Sequence, residues 1–274
     1  MARGSVTWKK EPDVTIPSII HYCWFGSKDI PLEHQESIRG WRRLHPNYEF
    51  MFWNDETFAS RLSGTDSEFV KECQKRNLPG FLSDFLRFTV LNEYGGIYLD
   101  TDVEIFKPFD TFRDCDMFLG YIFDSLVGTA IIGSKKENPI IQGMLQRLEA
   151  DFCRLGRLTV SNNWVTAFLL ENCDDFLLCG QRQSLKCGIE IYPKDYFERY
   201  CLNPHLGGGY SEHHCYGSWY NRKKSPLKSL IKFLVGRGLV SQVGHYRANR
   251  GTPFYKRHKH DLETWMQMKR PVGR

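Results

Sequence analysis

The sequence predicts an α/β fold in which a mostly parallel sheet is covered by helices on both faces. Two patterns carry that reading. Short apolar runs alternate with stretches of helical periodicity from residue 19 to residue 139, the order that βαβ crossovers produce. In addition, Trp24 and Asp100 each fall at the carboxyl end of such a run, where open α/β sheets place their ligands.

The elements follow in order. A strand over residues 19–24 precedes a helix over 33–44 and a second strand over 48–53. The amphipathic stretch 67–77 leads to a helix running from Gly80 to a glycine stop at Gly95-Gly96, and a strand follows at once over 97–99. Strands over 103–106, 117–122 and 129–132 come next, then a helix opened by Pro139. There are no internal repeats or low-complexity segments, and only Gly207-Gly208-Gly209 reads as a linker.

Asp100-Thr101-Asp102 is the most informative stretch. In extended backbone, carboxylates two apart point to one side, and at a strand end they converge on a hard, oxygen-seeking cation. A Mn²⁺ or Mg²⁺ held by few protein ligands keeps positions open for substrate phosphates. Either carboxylate is alternatively a solvated turn residue. Upstream, Asp84 and Arg87 are three apart and share a helical face, while Phe81, Phe85, Phe88 and Leu91 are available to the core. On an exposed helix the Asp84/Arg87 pair contributes about 0.3–0.5 kcal/mol. In a site, Arg87 would face a diphosphate and Asp84 sugar hydroxyls.

The run Ser83 to Phe106, SDFLRFTVLNEYGGIYLDTDVEIF, resembles the signature of the DXD-motif glycosyltransferases of family 32. That group includes capsular-polysaccharide transferases and initiating mannosyltransferases, and is distantly similar to the glucosylating domains of large clostridial toxins. IPSIIHYCWFG (16–26), WRRLHPNYEFMFW (41–53), TAIIG (129–133), IYPKDYF (191–197) and HHCYGSW (213–219) match further blocks in family order. The resemblance implies a GT-A type nucleotide-sugar-binding fold. It implies a retaining, metal-dependent transfer of a hexose from a UDP- or GDP-sugar to an acceptor hydroxyl, in surface polysaccharide or glycan synthesis, with a glycan or lipid-linked glycan as acceptor.

It also implies residue roles. Asp102 would bind Mn²⁺ or Mg²⁺ directly, and Asp100 would reach the metal, a bound water or the ribose. His214, five residues before Trp219, is favoured as third ligand, with His213 as the alternative. Trp24 would stack on the base or belong to the core. Tyr98 would orient base or ribose or fill the sheet. Ser218 and Trp219 would close over the diphosphate or pack ordinarily. Ser161-Asn162-Asn163-Trp164 stands where relatives carry a Gly-Pro turn, a departure on the acceptor side.

Charge divides the chain. Residues 1–220, read as the catalytic domain, carry 23 Lys+Arg against 30 Asp+Glu, whereas residues 221–274 carry 14 against 2. This basic C-terminal extension, with Leu227, Leu230, Ile231 and Leu234 at helical spacing, fits peripheral association with an anionic membrane or a helix packed on the domain. No apolar run reaches the roughly 18 residues of a membrane span, and the first residues lack a secretory h-region, so a cytoplasmic protein, peripheral on the inner face of the membrane, is expected. Nine cysteines without close pairing suit a reducing compartment. The paired C-x-x-C ligands of a structural zinc site do not occur, and its best version is the loose set Cys187, Cys201, His214 and Cys215. No nucleic acid partner is expected. The rival readings are a metal-dependent phosphoryl or nucleotidyl transferase and a non-catalytic domain whose basic tail docks on membrane or nucleic acid.

Overall fold

The computed structural model describes residues 16–26, 29–62, 67–156, 158–198, 209–215 and 237–270. Its centre is a seven-stranded sheet of order β2-β1-β3-β6-β5-β8-β7, built from β1 (Ile19–Cys23), β2 (Glu49–Trp53), β3 (Gly96–Leu99), β5 (Met117–Phe123), β6 (Leu126–Ser134), β7 (Gln183–Ser184) and β8 (Ile189–Tyr192). Five strands share a direction. Only β6 and β7 oppose their neighbours, so the sheet is mostly parallel, as the alternation of elements predicts. A two-stranded antiparallel ribbon, β4 (Val103–Ile105) with β9 (Ser211–His213), stands beside it.

Strand alternation builds a core on each face. On β3, Tyr98 joins one buried cluster with α4 (Pro79–Tyr94), α5 (Pro139–Leu155) and α6 (Ser161–Asn172). Its neighbours Ile97 and Leu99 join the other, with Trp41 of α1 (Leu32–Leu44) and Phe197 of α7 (Lys194–Phe197). All nine residues of β6 are buried, as a strand covered on both faces requires. The remaining helices of the first half are α2 (Asp55–Leu62) and α3 (Glu68–Lys75), the latter capped where the Val70 N–H donates to Ser67 Oγ.

The turn from α4 into β3 requires its glycines. Gly95 and Gly96 have φ of 67° and 101°, and a Cβ on Gly96 would stand 2.7 Å from the Ile19 carbonyl oxygen. That close approach of β3 to β1 is completed by His21. Its Nε2–H donates to Gly95 O at 2.8 Å, while Trp53 Nε1–H donates to His21 Nδ1 at 3.3 Å. Burial lowers the His21 pKa to about 4, against the bond to Gly95, so the ring is neutral and structural.

Helix α6 carries no polar stripe, because Ser161, Trp164, Val165, Thr166, Phe168 and Leu169 are buried around it, and periodicity therefore did not signal it. Within the basic extension, α8 (Arg237–Arg250) docks on the β5–β6 turn and α9 (Tyr255–Met268) on the segment around Leu178. Ser125 Oγ bonds Asn249 and Thr252, and buried Asp261 accepts the Leu178 N–H at 2.9 Å. The apolar positions 227–234 lie outside the described residues. No described helix is long and apolar enough to cross a membrane.

Candidate active site

The carboxyl ends of β1 and β3 open into a cleft of about 350 Å³ lined by Trp24, Asp84, Tyr98, Asp100, Asp102 and His213, among others. Asp100 follows β3 directly. Its N–H donates to Ala130 O at 2.8 Å, and Val103 N–H donates back to Asp100 O at 3.0 Å. This tight turn presents both carboxylates of the triplet to one point.

Arg87 fixes the floor. It is 5% exposed in its side chain, and its Nη2 lies 3.0 Å from Asp84 Oδ1 and 3.3 Å from Asp100 Oδ1. Nη1 donates to Thr129 O at 2.5 Å, and the guanidinium stacks over the Tyr98 ring at 4.7 Å. Burial disfavours its charge, but Asp100 and Asp84 outweigh that and raise its pKa. A planar fork with several donors suits this bridging position, where an ammonium would satisfy fewer partners. The buried Tyr98 hydroxyl donates to Asp100 Oδ1 at 3.1 Å and lies 3.2 Å from Cys23 Sγ, so it fills the sheet and orients Asp100.

Burial raises the Asp84 pKa to about 6, against Arg87 and the hydroxyl and N–H of Ser161. Asp84 thus receives the first turn of α6, placing Asn162, which accepts from Thr129 Oγ1 at 2.7 Å, in the cleft wall. Burial also raises the Asp100 pKa, reinforced by Asp102 and opposed by Arg87. Trp24 stands edge-on to His34 at 5.2 Å, and His34 Nδ1 lies 3.0 Å from Thr101 Oγ1.

The imidazole that meets the two carboxylates is His213. Its Nε2 lies 3.4 Å from Asp102 Oδ1, and ligand atoms of Asp100, Asp102 and His213 all fall within 4.8 Å of one another. His214, the residue favoured from its spacing to Trp219, sits elsewhere. Its Nε2 lies 3.1 Å from Glu104 Oε2 and its Nδ1 3.9 Å from Glu212. Strand alternation is the reason: Ser211 and His213 face inward on β9, so Glu212 and His214 face out. Burial lowers the His213 pKa, but Glu198 and Asp102 dominate and hold it well above its ordinary value. Ser218 and Trp219 lie outside the described residues.

A second Asp-x-Asp, Asp114-Cys115-Asp116, precedes β5. It does not line the cleft, and Asp116 pairs with Lys135 at 2.6 Å. Ser161 and Asn162, read from the sequence as a departure on the acceptor side, line the cleft. Glu198 is a site neighbour that the sequence reading did not assign.

Residues 31–119 match the family model described as "Glycosyltransferase sugar-binding region containing DXD motif". The chain is similar to mannosyl phosphorylinositol ceramide synthase CSH1 of Saccharomyces cerevisiae, 26% identical over 143 residues, covering 52% of this chain and 38% of that protein. It is likewise similar to inositol phosphoceramide mannosyltransferase 3 of Schizosaccharomyces pombe, 26% identical over 133 residues, covering 48% and 37%. The chain therefore spans under two fifths of the length of these two relatives. Among solved structures it is similar to the PaToxG glycosyltransferase, with a TM-score of 0.47 at 19% identity over 58% of this chain and 71% of that one. In residues 31–119, then, the chain carries the sugar-binding region of the DXD-motif glycosyltransferases, and Asp100-Thr101-Asp102 is the Asp-x-Asp of that region that lines the cleft.

Proposed function

We propose that the protein is a metal-dependent, retaining glycosyltransferase that moves a hexose from a nucleotide-diphosphate sugar to an acceptor hydroxyl. The observation that carries this reading is the convergence of Asp100, Asp102 and His213 at the mouth of a cleft that also presents an indole, Trp24. Two carboxylates and one imidazole are hard and borderline donors that fit Mn²⁺ or Mg²⁺. When bound, that cation supplies charge neutralisation for the departing diphosphate.

The chain's own residues do the positioning. Arg87 and Tyr98 hold Asp100, and Glu198 holds the His213 ring, with Nδ1 to Oε1 at 3.4 Å. Trp24 would stack on the base. Asp84, turned toward the cleft by Ser161 and Arg87, would orient sugar hydroxyls. Among the described residues no cleft side chain stands out as a covalent nucleophile, so attack is assigned to the face the diphosphate leaves, with its own oxygen accepting the acceptor proton.

The names of the relatives favour mannose as the sugar and a polar lipid headgroup as the acceptor. Residues 221–274, with 14 basic against 2 acidic side chains, would bring the cleft to an anionic membrane on its cytoplasmic side.

The test is release of nucleoside diphosphate from a panel of UDP- and GDP-sugars with Mn²⁺, Mg²⁺ or EDTA. Release that depends on the divalent ion and is lost in Asp102→Ala is the expected result. Equal release by both proteins overturns the reading, and release of nucleoside monophosphate or of sugar 1-phosphate assigns a phosphoryl or nucleotidyl transferase instead.

A further inference from the structure

His213 has a second face. While Nε2 turns to Asp102, Nδ1 turns to Glu198 Oε1 at 3.4 Å and Cys215 Sγ at 3.5 Å. The three ligand atoms of Glu198, His213 and Cys215 lie within 4.8 Å of one another. Two ligands bound tetrahedrally to one zinc ion at about 2.0–2.3 Å stand roughly 3.3–3.6 Å apart, so the two contacts to Nδ1 already have the spacing of a shared ion. Glu198 is 5% exposed, whereas Cys215 is exposed and leaves a path for entry. Cys215 also holds a left-handed backbone, with φ of 50°, which a non-glycine residue adopts infrequently. The set differs from the loose Cys187, Cys201, His214 and Cys215 group that spacing alone suggests.

We propose that Glu198, His213 and Cys215 form a second cation site, selective for Zn²⁺ and other thiophilic divalent ions, that shares the His213 ring with the Asp100/Asp102 pair. Carboxylate, imidazole and thiolate make a three-ligand set with one open position, the arrangement zinc takes with water as fourth ligand. The thiolate selects against Mg²⁺ and Mn²⁺, which prefer oxygen donors. Binding releases the Cys215 thiol proton and the Nδ1 proton of the His213 imidazolium to solvent, which frees the Nδ1 lone pair for the ion. Nε2 then carries the ring proton and donates to Asp102, the carboxylate–histidine–metal relation that fixes a tautomer. In that state Nε2 has no lone pair to offer. The two sites are therefore mutually exclusive at His213, and zinc is an inhibitor. This last consequence rests on the proposed metal-dependent activity, whereas the binding does not.

The test uses the full chain, stripped of metal and kept reduced without thiols, titrated with Co²⁺ alone. A thiolate-to-cobalt charge-transfer absorption saturating at one equivalent and abolished by Zn²⁺ is expected. It should be lost in Cys215→Ser and kept in Asp102→Asn. Glu198→Gln should loosen Zn²⁺ by at least about 10- to 100-fold, the range that loss of even an outer-shell partner commands. Absence of the absorption, or its persistence in Cys215→Ser, overturns the site. If turnover proves independent of metal while the cobalt signal behaves as stated, the functional reading fails and the thiophilic site stands.

Discussion

Asp102 and His213, far apart in sequence, meet at 3.4 Å because β9 pairs with β4 in the register that sets His213 opposite Val103, the residue after Asp102. The His214 N–H donates to the Asp102 carbonyl at 3.0 Å, so the backbone of one strand fixes which imidazole reaches the carboxylates.

This register separates two neighbouring histidines by function. His213→Ala should lower divalent-ion-dependent donor turnover by about 100-fold, the scale of a lost electrostatic contact to the reacting group. His214→Ala should stay within about twofold, because its ring pairs with Glu104 on the outer side. Titrating Mn²⁺ against turnover for both variants checks the assignment. Equal loss in the two would remove the distinction.

Arg87 supplies a second prediction. Its removal leaves Asp84 and Asp100 near each other without the cation that serves both. Breaking a buried pair from one side costs about 3–5 kcal/mol, and Arg87→Met should lose that much in urea unfolding. Arg87→Lys keeps the charge and should fall between, since an ammonium cannot reach Thr129 O, Asp84 and Asp100 in one plane. If Arg87→Met unfolds at the wild-type midpoint, the bridge carries no stability.

The first half of the chain was largely legible in its sequence, because its elements announce themselves locally. The Gly95-Gly96 stop and the Pro139 start each carry a short-range physical cause. Asp84, Arg87, Asp100 and Trp24 line one cleft. What was not legible depends on contacts between distant segments. Helix α6 lacks a polar stripe, the β4–β9 ribbon joins residues from the middle and the end of the domain, and the choice between His213 and His214 is a matter of register. Arg87 was read as facing a diphosphate, yet its fork is engaged with Asp84, Asp100 and Thr129. Counting spacings cannot reveal such partners.

Gly96 tests the α4–β3 turn. Alanine there would place Cβ 2.7 Å from the Ile19 carbonyl oxygen at a φ of 101°. Left-handed strain of this kind costs of order 1–3 kcal/mol before any clash is relieved. Gly96→Ala should therefore lower the unfolding free energy by about 3 kcal/mol or more, read from urea denaturation. Since β3 ends in Asp100, it should also weaken divalent-ion binding. A variant as stable as wild type would show that the β1–β3 approach is looser than described.

His21 makes the fold sensitive to acid. Its pKa is near 4 in the folded chain and 6.5 as an ordinary histidine, so the unfolded chain takes up the proton first as pH falls. The stabilisation from neutral His21 is fully present above pH 6.5 and is lost progressively down to pH 4. At 1.36 kcal/mol per unit, the whole loss is about 3 kcal/mol. Asp84 works in the opposite sense: its pKa is raised to about 6, so its ionisation costs stability as pH rises from its unfolded value near 3.8 through 6. The two windows overlap, and the pH profile of the wild type alone does not separate them. His21→Gln does, because glutamine offers a donor for Gly95 O and an acceptor for Trp53 Nε1 without titrating, while Asp84 is unchanged. The difference in unfolding free energy between wild type and His21→Gln should shrink by about 3 kcal/mol from pH 7 to pH 4. A difference that stays constant across that range would mean His21 carries its proton in the folded chain.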